Sequence, residues 1–307
     1  WPFTVVGRPP QEDTSFGQLI HKMTGKAIQQ EIPGLKEVHA VDAAGVHPLL
    51  LAIGSERYTP YLVTKQPAEI LTIASHVLGT GQLSLAKFLF ITADDNNTIS
   101  TNNIQAYLTY VLQRINLKRD IHFYTNTTID TLDYSGEGLN SGSKVVLAAY
   151  GEPARALGSA IPAALNNLPG FSKPQLAMPG IIVLETAAFS NYETANQEME
   201  ILSRQLITFN DQLKDFPFII ICDDADFVSK TLNNFLWVTF TRCNPSHDMY
   251  GIDSFTKNKH WGCNGPLVFD ARTKPHHAPP VEKDGAVEKK IEHFFEKGGS
   301  LYNVLKR

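Results

Sequence analysis

Four groups of residues have the types and spacing that chemistry requires. Acidic residues close two apolar runs, Asp94-Asp95 after Phe88-Leu89-Phe90-Ile91 and Asp223-Asp224-x-Asp226 after Phe218-Ile219-Ile220-Ile221. Carboxylates at the carboxyl edge of a parallel sheet either hold a magnesium ion or bond loop amides and cap the next helix. Cys243-x3-His247 and His260-x2-Cys263 pair two thiols with two imidazoles at short spacing, which suits a tetrahedral zinc site and equally suits buried thiols beside surface histidines. Arg114 and Arg242 each follow an apolar helical stretch and stand six residues before Asp120 and Asp248, a pairing that clamps an anion or pins its own loop. Finally, Asp42-Ala43-Ala44-Gly45-Val46-His47 precedes an apolar strand. Its small side chains leave room for a ligand that Asp42 and His47 would orient, or they form a tight turn. There is no phosphate loop, no GxGxxG after a strand, no nucleophile elbow and no HExxH, which removes the motif-bearing nucleotide, hydrolase and metalloprotease classes.

The elements that must position these groups repeat. A short apolar run, acidic residues, a helical stretch, an arginine and an aspartate occur in that order twice, so that Asp94 corresponds to Asp223, Arg114 to Arg242 and Asp120 to Asp248. The first copy has Ile115 and Arg119 where the second has Cys243 and His247, so a zinc site would belong to one copy alone. Apolar runs too short for helices, without a polar face, belong in a covered sheet. Examples are Leu49-Leu50-Leu51-Ala52-Ile53 and Ile181-Ile182-Val183-Leu184. Helical spacing appears at Ile70, Ala74, Val77 and Leu78, and again at Met199, Leu202, Leu206, Phe209 and Leu213. The pattern predicts an α/β fold with a mixed, mostly parallel sheet covered by helices and built from an internally duplicated strand-helix-strand unit. Its expected division is an opening strand and helix over 1–37, with Asp13 or Thr14 as N-cap, a first unit over 38–150, a linker rich in Ala, Pro and Gly over 151–175, a second unit over 176–275, and a tail with a C-terminal helix over 276–307.

With 307 residues, 43% of them hydrophobic and 19% charged, the chain can bury a sizeable core. A net charge of -4 supplies no basic field for nucleic acid, and no run approaches the length of a membrane span. Three cysteines are too few and odd for a disulfide framework and suit a reducing, cytoplasmic setting.

Several separated segments carry a family resemblance. Val6-Gly7-Arg8-Pro9-Pro10-Gln11-Glu12-Asp13, Lys87-Phe88-Leu89-Phe90-Ile91-Thr92-Ala93-Asp94-Asp95, the stretch from Asn126 to Tyr134, Gly142-Ser143-Lys144 and the stretch from Thr241 to Asp248 resemble, in order, the carboxyl-terminal half of the UbiD decarboxylases, the 3-octaprenyl-4-hydroxybenzoate carboxy-lyase type. The resemblance implies a reversible, non-oxidative decarboxylase of small aromatic or α,β-unsaturated carboxylic acids. It also implies a prenylated FMN cofactor with a divalent metal and potassium at its phosphate, and homo-oligomeric assembly. It places the catalytic residues, the metal ligands and most flavin contacts in an amino-terminal flavin domain expected before Trp1, so that this chain alone would be inactive. Its implied substrate wall here is Asp42, Ala43, Ala44, His47, Asp130 and Leu132. The competing expectation is a non-catalytic α/β binding or assembly module.

Overall fold

The computed structural model describes residues 27–278 and 284–302. They fall into two units, one within Arg8–His277 and one within Ala278–Arg307. In the second, a helix over Gly285–Phe295 is N-capped by Asp284, whose carboxylate accepts from the amides of Ala286 and Val287. The expected opening strand and the N-cap at Asp13 or Thr14 lie outside the described residues. Residues 27–31 are helical, and the chain turns at Pro33-Gly34.

Unit Arg8–His277 contains two five-stranded sheets. The first runs β1 (Glu37–Ala40), β2 (Leu49–Gly54), β3 (Phe88–Ala93), then β5 (Gly142–Ala149) and β4 (Ile121–Thr127) at the far edge. The second runs β6 (Phe171–Met178), β7 (Ile181–Thr186), β8 (Phe218–Cys222), then β12 (Leu267–Asp270) and β9 (Met249–Gly251). In each sheet the two central ladders are parallel and the two edge ladders antiparallel. The sheets are therefore mixed in equal parts, not mostly parallel, because the edge strands β1, β4, β6 and β9 reverse direction. A separate hairpin joins β10 (Ser254–Lys257) to β11 (His260–Cys263), and its turn residues Asn258 and Lys259 both have positive φ, as a tight two-residue hairpin turn requires.

The all-apolar strands are covered on both faces. Along β2, Leu49, Leu51 and Ile53 face one cluster and Leu50 and Ala52 another, the alternation a pleated strand dictates. The outer face of the first sheet is covered by the helix Glu69–Val77 through Ile70, Ile73, Ala74 and Val77. That of the second is covered by Tyr192–Ile207 through Ala195, Met199, Leu202 and Leu206. The inner faces share a single core with the helices Ile104–Arg114 and Leu232–Arg242. There Phe240 meets Phe88 at 5.0 Å between ring centres and Phe90 at 5.8 Å.

Two stretches expected as single helices are broken. Phe209 leaves helical geometry at φ -133, so Asn210–Leu213 is a separate turn. Thr231 adopts extended backbone and caps Leu232–Arg242 through the Asn234 amide, which parts that helix from Ala225–Lys230. Among the described residues, no helix is long and apolar enough to cross a membrane.

Candidate functional site

Four short segments bring polar side chains together: the loop before β2, the loop from β4 to β5, the turn Asn244–Asp248, and the residues after β12. The loop before β2 forms a 3-10 turn over Asp42–Ala44 that ends at Gly45, φ 87, with Val46 also at positive φ. Asp42 bonds the Ala43 amide at 2.9 Å, so its carboxylate serves the turn. The chain then presents His47, whose Nδ1 pairs with Asp130 across 83 residues. Burial raises the Asp130 carboxyl, but the hydrogen bond from His47 and the amides of Leu132 and Thr131 outweigh it, so the group lies below its usual range. Ala43 is half-buried, Ala44 is buried and Leu132 is exposed. Of the six residues of the expected substrate wall, His47 and Asp130 are in direct contact, and Leu132 joins them through its amide to Asp130 Oδ1 at 3.1 Å.

Beneath this pair the backbone amide of Lys87 reaches the His47 carbonyl. The Lys87 ammonium, 1% exposed, lies 2.7 Å from Asp133, and it donates to Ser135 Oγ at 2.6 Å. Lys144 donates to the carbonyls of Ser84 and Ala86 at 2.7 and 2.9 Å. Beyond β12, Arg272 holds Asp270 through two bonds of 2.9 and 2.7 Å and reaches Glu198 at 2.7 Å. Lys274 lies 3.3 Å from Asp248. Burial pushes the Asp248 carboxyl up to about 6 against the pull of Lys274. His277 is pushed down to about 2 by burial and by the charge of Lys274. Buried ion pairs of this kind hold geometry more than they add stability. Sequence reasoning missed Lys87–Asp133, Arg272–Glu198 and Lys274–Asp248 because their partners lie far apart in the chain, while Arg272–Asp270, two residues apart, went unread. The available signal was a lysine set directly against a buried apolar run, as in Ala86-Lys87-Phe88 and Ser143-Lys144-Val145.

The zinc candidates do not converge. Cys243 Sγ lies 3.3 Å from the Asp270 carbonyl and Cys263 Sγ 3.2 Å from that of Gly265. His247 Nε2 pairs with Glu137, and the His260 ring lies beside His122. Burial raises the Cys243 and Cys263 thiols, which keeps them protonated and poor ligands. No group of three or more His, Cys, Asp or Glu among the described residues is placed to hold a cation. At the acidic strand ends, Asp94 accepts from the amides of Asn96 and Ile99 at 3.1 and 2.9 Å, and from that of Thr98. Asp223 takes Arg242 at 3.1 Å and Thr273, and Asp224 caps the helix Ala225–Lys230. Arg114 bonds the Gly151 carbonyl at 3.1 Å and stacks on Tyr110. These groups serve their own loops.

Comparison with known proteins adds a family. Residues 14–149 match the model of the 3-octaprenyl-4-hydroxybenzoate carboxy-lyase C-terminal domain. A protein of Chlamydia trachomatis serovar D is 33% identical over 288 residues, which is 94% of this chain and 46% of that protein. A Chlamydia pneumoniae protein named as a subunit of 4-hydroxybenzoate decarboxylase is 31% identical over 95% of this chain and 46% of its own length. This chain thus spans about half the length of these relatives. The solved vanillic acid decarboxylase of Sedimentibacter hydroxybenzoicus, in closed form, aligns at 15% identity over 58% of this chain and 30% of that one, with a TM-score of 0.34, a likeness too slight to argue from.

Proposed function

The chain carries the C-terminal domain of the 3-octaprenyl-4-hydroxybenzoate carboxy-lyase (UbiD) family over residues 14–149, and from this we propose that it forms the substrate-side and oligomerisation part of a non-oxidative decarboxylase of aromatic or α,β-unsaturated acids. The carrying observation is that the family match and the decarboxylase relative from Chlamydia pneumoniae agree, the second over 95% of the chain. The internal duplication belongs to the same proposal. It is supported by two sheets with the same order of ladder directions, and by Asp120 and Asp248. Each of these accepts from the amide four residues earlier, Asn116 at 2.8 Å and Asn244 at 2.7 Å.

Prenylated FMN, with its divalent metal and potassium, is the cofactor this reading implies. When bound, it supplies the electron sink for loss of carbon dioxide. The described residues do not fit it: they present no cluster of cation ligands and no glycine-rich phosphate loop. We assign its binding mainly to the part of the relatives' length that this chain does not match. The role proposed for this chain is to shape and orient. Ala43 packs against the shared core and Ala44 lies within it, which seats the loop before β2. His47, held through Nδ1 by Asp130, keeps Nε2 as its second hydrogen-bonding atom for a carboxylic acid or its ring substituent. Leu132 supplies exposed apolar surface beside it.

The test is to express the full reading frame containing this chain together with a flavin prenyltransferase, then measure cofactor absorbance and carbon dioxide release from aromatic acids. The expected result is a flavin-loaded enzyme, with this chain alone inactive. His47→Ala should lower kcat/KM by about 10-fold or more with flavin content unchanged. A full-length protein that binds no flavin would overturn the reading.

A further inference from the structure

A second set of side chains joins the turn Asn244–Asp248 to Glu137, on the same β4-to-β5 loop that carries Asp130. In the turn Asn244–Asp248, Ser246 Oγ is 2.9 Å from His247 Nδ1, and His247 Nε2 is 2.9 Å from Glu137 Oε1. The network sets the tautomer. Asn244 Oδ1 accepts from Ser143 Oγ, which turns the Asn244 amide nitrogen toward His247 Nδ1 at 3.2 Å. An amide nitrogen only donates, so Nδ1 is the acceptor and Nε2–H faces the Glu137 carboxylate. Nδ1 thereby turns its one lone pair to two donors, the serine hydroxyl at 2.9 Å and the more distant Asn244 amide at 3.2 Å, with the serine the nearer. A hydroxyl within reach of a base that a carboxylate orients is the general form of an activated nucleophile. Two further contacts hold the pair: the Ser246 amide donates to Ser143 Oγ at 2.8 Å, and Tyr192 packs its ring 5.3 Å from the His247 imidazole.

Ser246 also lines a cleft of about 470 Å³ between β4, β11 and this turn. Phe123 and Trp261 meet edge to face at 5.4 Å on its wall, and Lys259 stands at its rim. We propose that Ser246 is the nucleophile of an acyl-transfer site that hydrolyses small aryl esters in this cleft. Ser246 Oγ attacks the ester carbonyl as its proton passes to His247 Nδ1. The aromatic wall takes the aryl group, and the Lys259 ammonium meets the carbonyl oxygen as it gains charge. Breaking the ester C–O bond releases the phenol, which leaves with the proton from Nδ1. Water, deprotonated by the same nitrogen, then splits the acyl-serine and restores the hydroxyl.

The experiment uses the full-length protein with p-nitrophenyl acetate and a biotinylated fluorophosphonate, with peptide mapping of the labelled residue. The expected results are label on Ser246 and hydrolysis that falls to the buffer blank in Ser246→Ala. His247→Gln should lose roughly 100-fold or more, and Glu137→Gln a smaller factor. Label absent from Ser246 in the unmodified protein overturns the proposal without reference to any variant. So does hydrolysis that survives Ser246→Ala. Neither readout depends on flavin or on carbon dioxide release.

Discussion

Lys144 sits at the start of β5, 3% exposed, with its ammonium held by two carbonyls and no carboxylate in contact. Burial pushes its pKa down to about 8 from 10.5, with Asp133 opposing and Lys87 adding to the shift. Below about pH 8 both the folded and the unfolded chain carry the proton, and the cost of the buried charge is fully present. Between about 8 and 10.5 the folded form sheds the proton while the unfolded chain keeps it, so this group makes stability rise with pH. A titration of the labelled lysine by NMR should show a midpoint near 8, and Lys144→Met should remove the alkaline rise in a denaturation series. A midpoint above 10 would mean that the site is wetter than its burial indicates. What the sequence showed at this scale was local: Asp94 serving loop amides and Asp224 as a cap, whereas Arg242, expected with Asp248 six residues on, holds Asp223 instead. The Lys87–Asp133 and Lys274–Asp248 pairs were hidden because no short spacing encodes a contact made by the fold.

The central strands were legible because both their faces are buried, which leaves an unbroken apolar run such as Phe218–Cys222. The edge strand Phe171–Met178 was not. Its middle residues are only partly buried or exposed, and it contains Pro174. With one side open it lacks the apolar run, and most of it was read as linker. The helix Leu232–Arg242 was legible as apolar but not as central, since six consecutive residues, Phe235 to Phe240, are buried. A helix covered all round is one packed between layers. Phe240 is its most connected ring, meeting Phe88, Phe90, Phe235 and Phe269. Phe240→Ala should cost about 3–5 kcal/mol in urea unfolding with the m-value unchanged. A loss below about 1 kcal/mol would show that the surrounding rings close the gap.

At the scale of unit Arg8–His277, the repeated pattern predicted one sheet built from two strand-helix-strand units with a linker between them, and the structure has two sheets whose inner faces contribute to the same core. The segment between them is tied down. Arg155 donates to the carbonyls of Leu112 and Ile115 at 2.7 and 2.8 Å, and the Gly158 amide donates to Asp215 at 2.9 Å. A sequence pattern reports which face of an element is apolar, but not which other element covers it. Here Leu49, Leu51, Phe88, Phe90, Val145 and Leu147 face the same cluster as Ile181, Phe218, Phe240 and Phe269. A fragment ending at Tyr150 would leave one side of its sheet covered by the helix Ile104–Arg114 alone. Side chains worth about 1.5–3 kcal/mol each when buried would then face water. Such a fragment should show no cooperative thermal transition and should bind a hydrophobic dye, whereas the intact chain should melt this unit in one step. Calorimetry on both decides the matter: a sharp, reversible transition in the fragment would mean that the first sheet folds without the second and that the shared core forms by docking of finished halves.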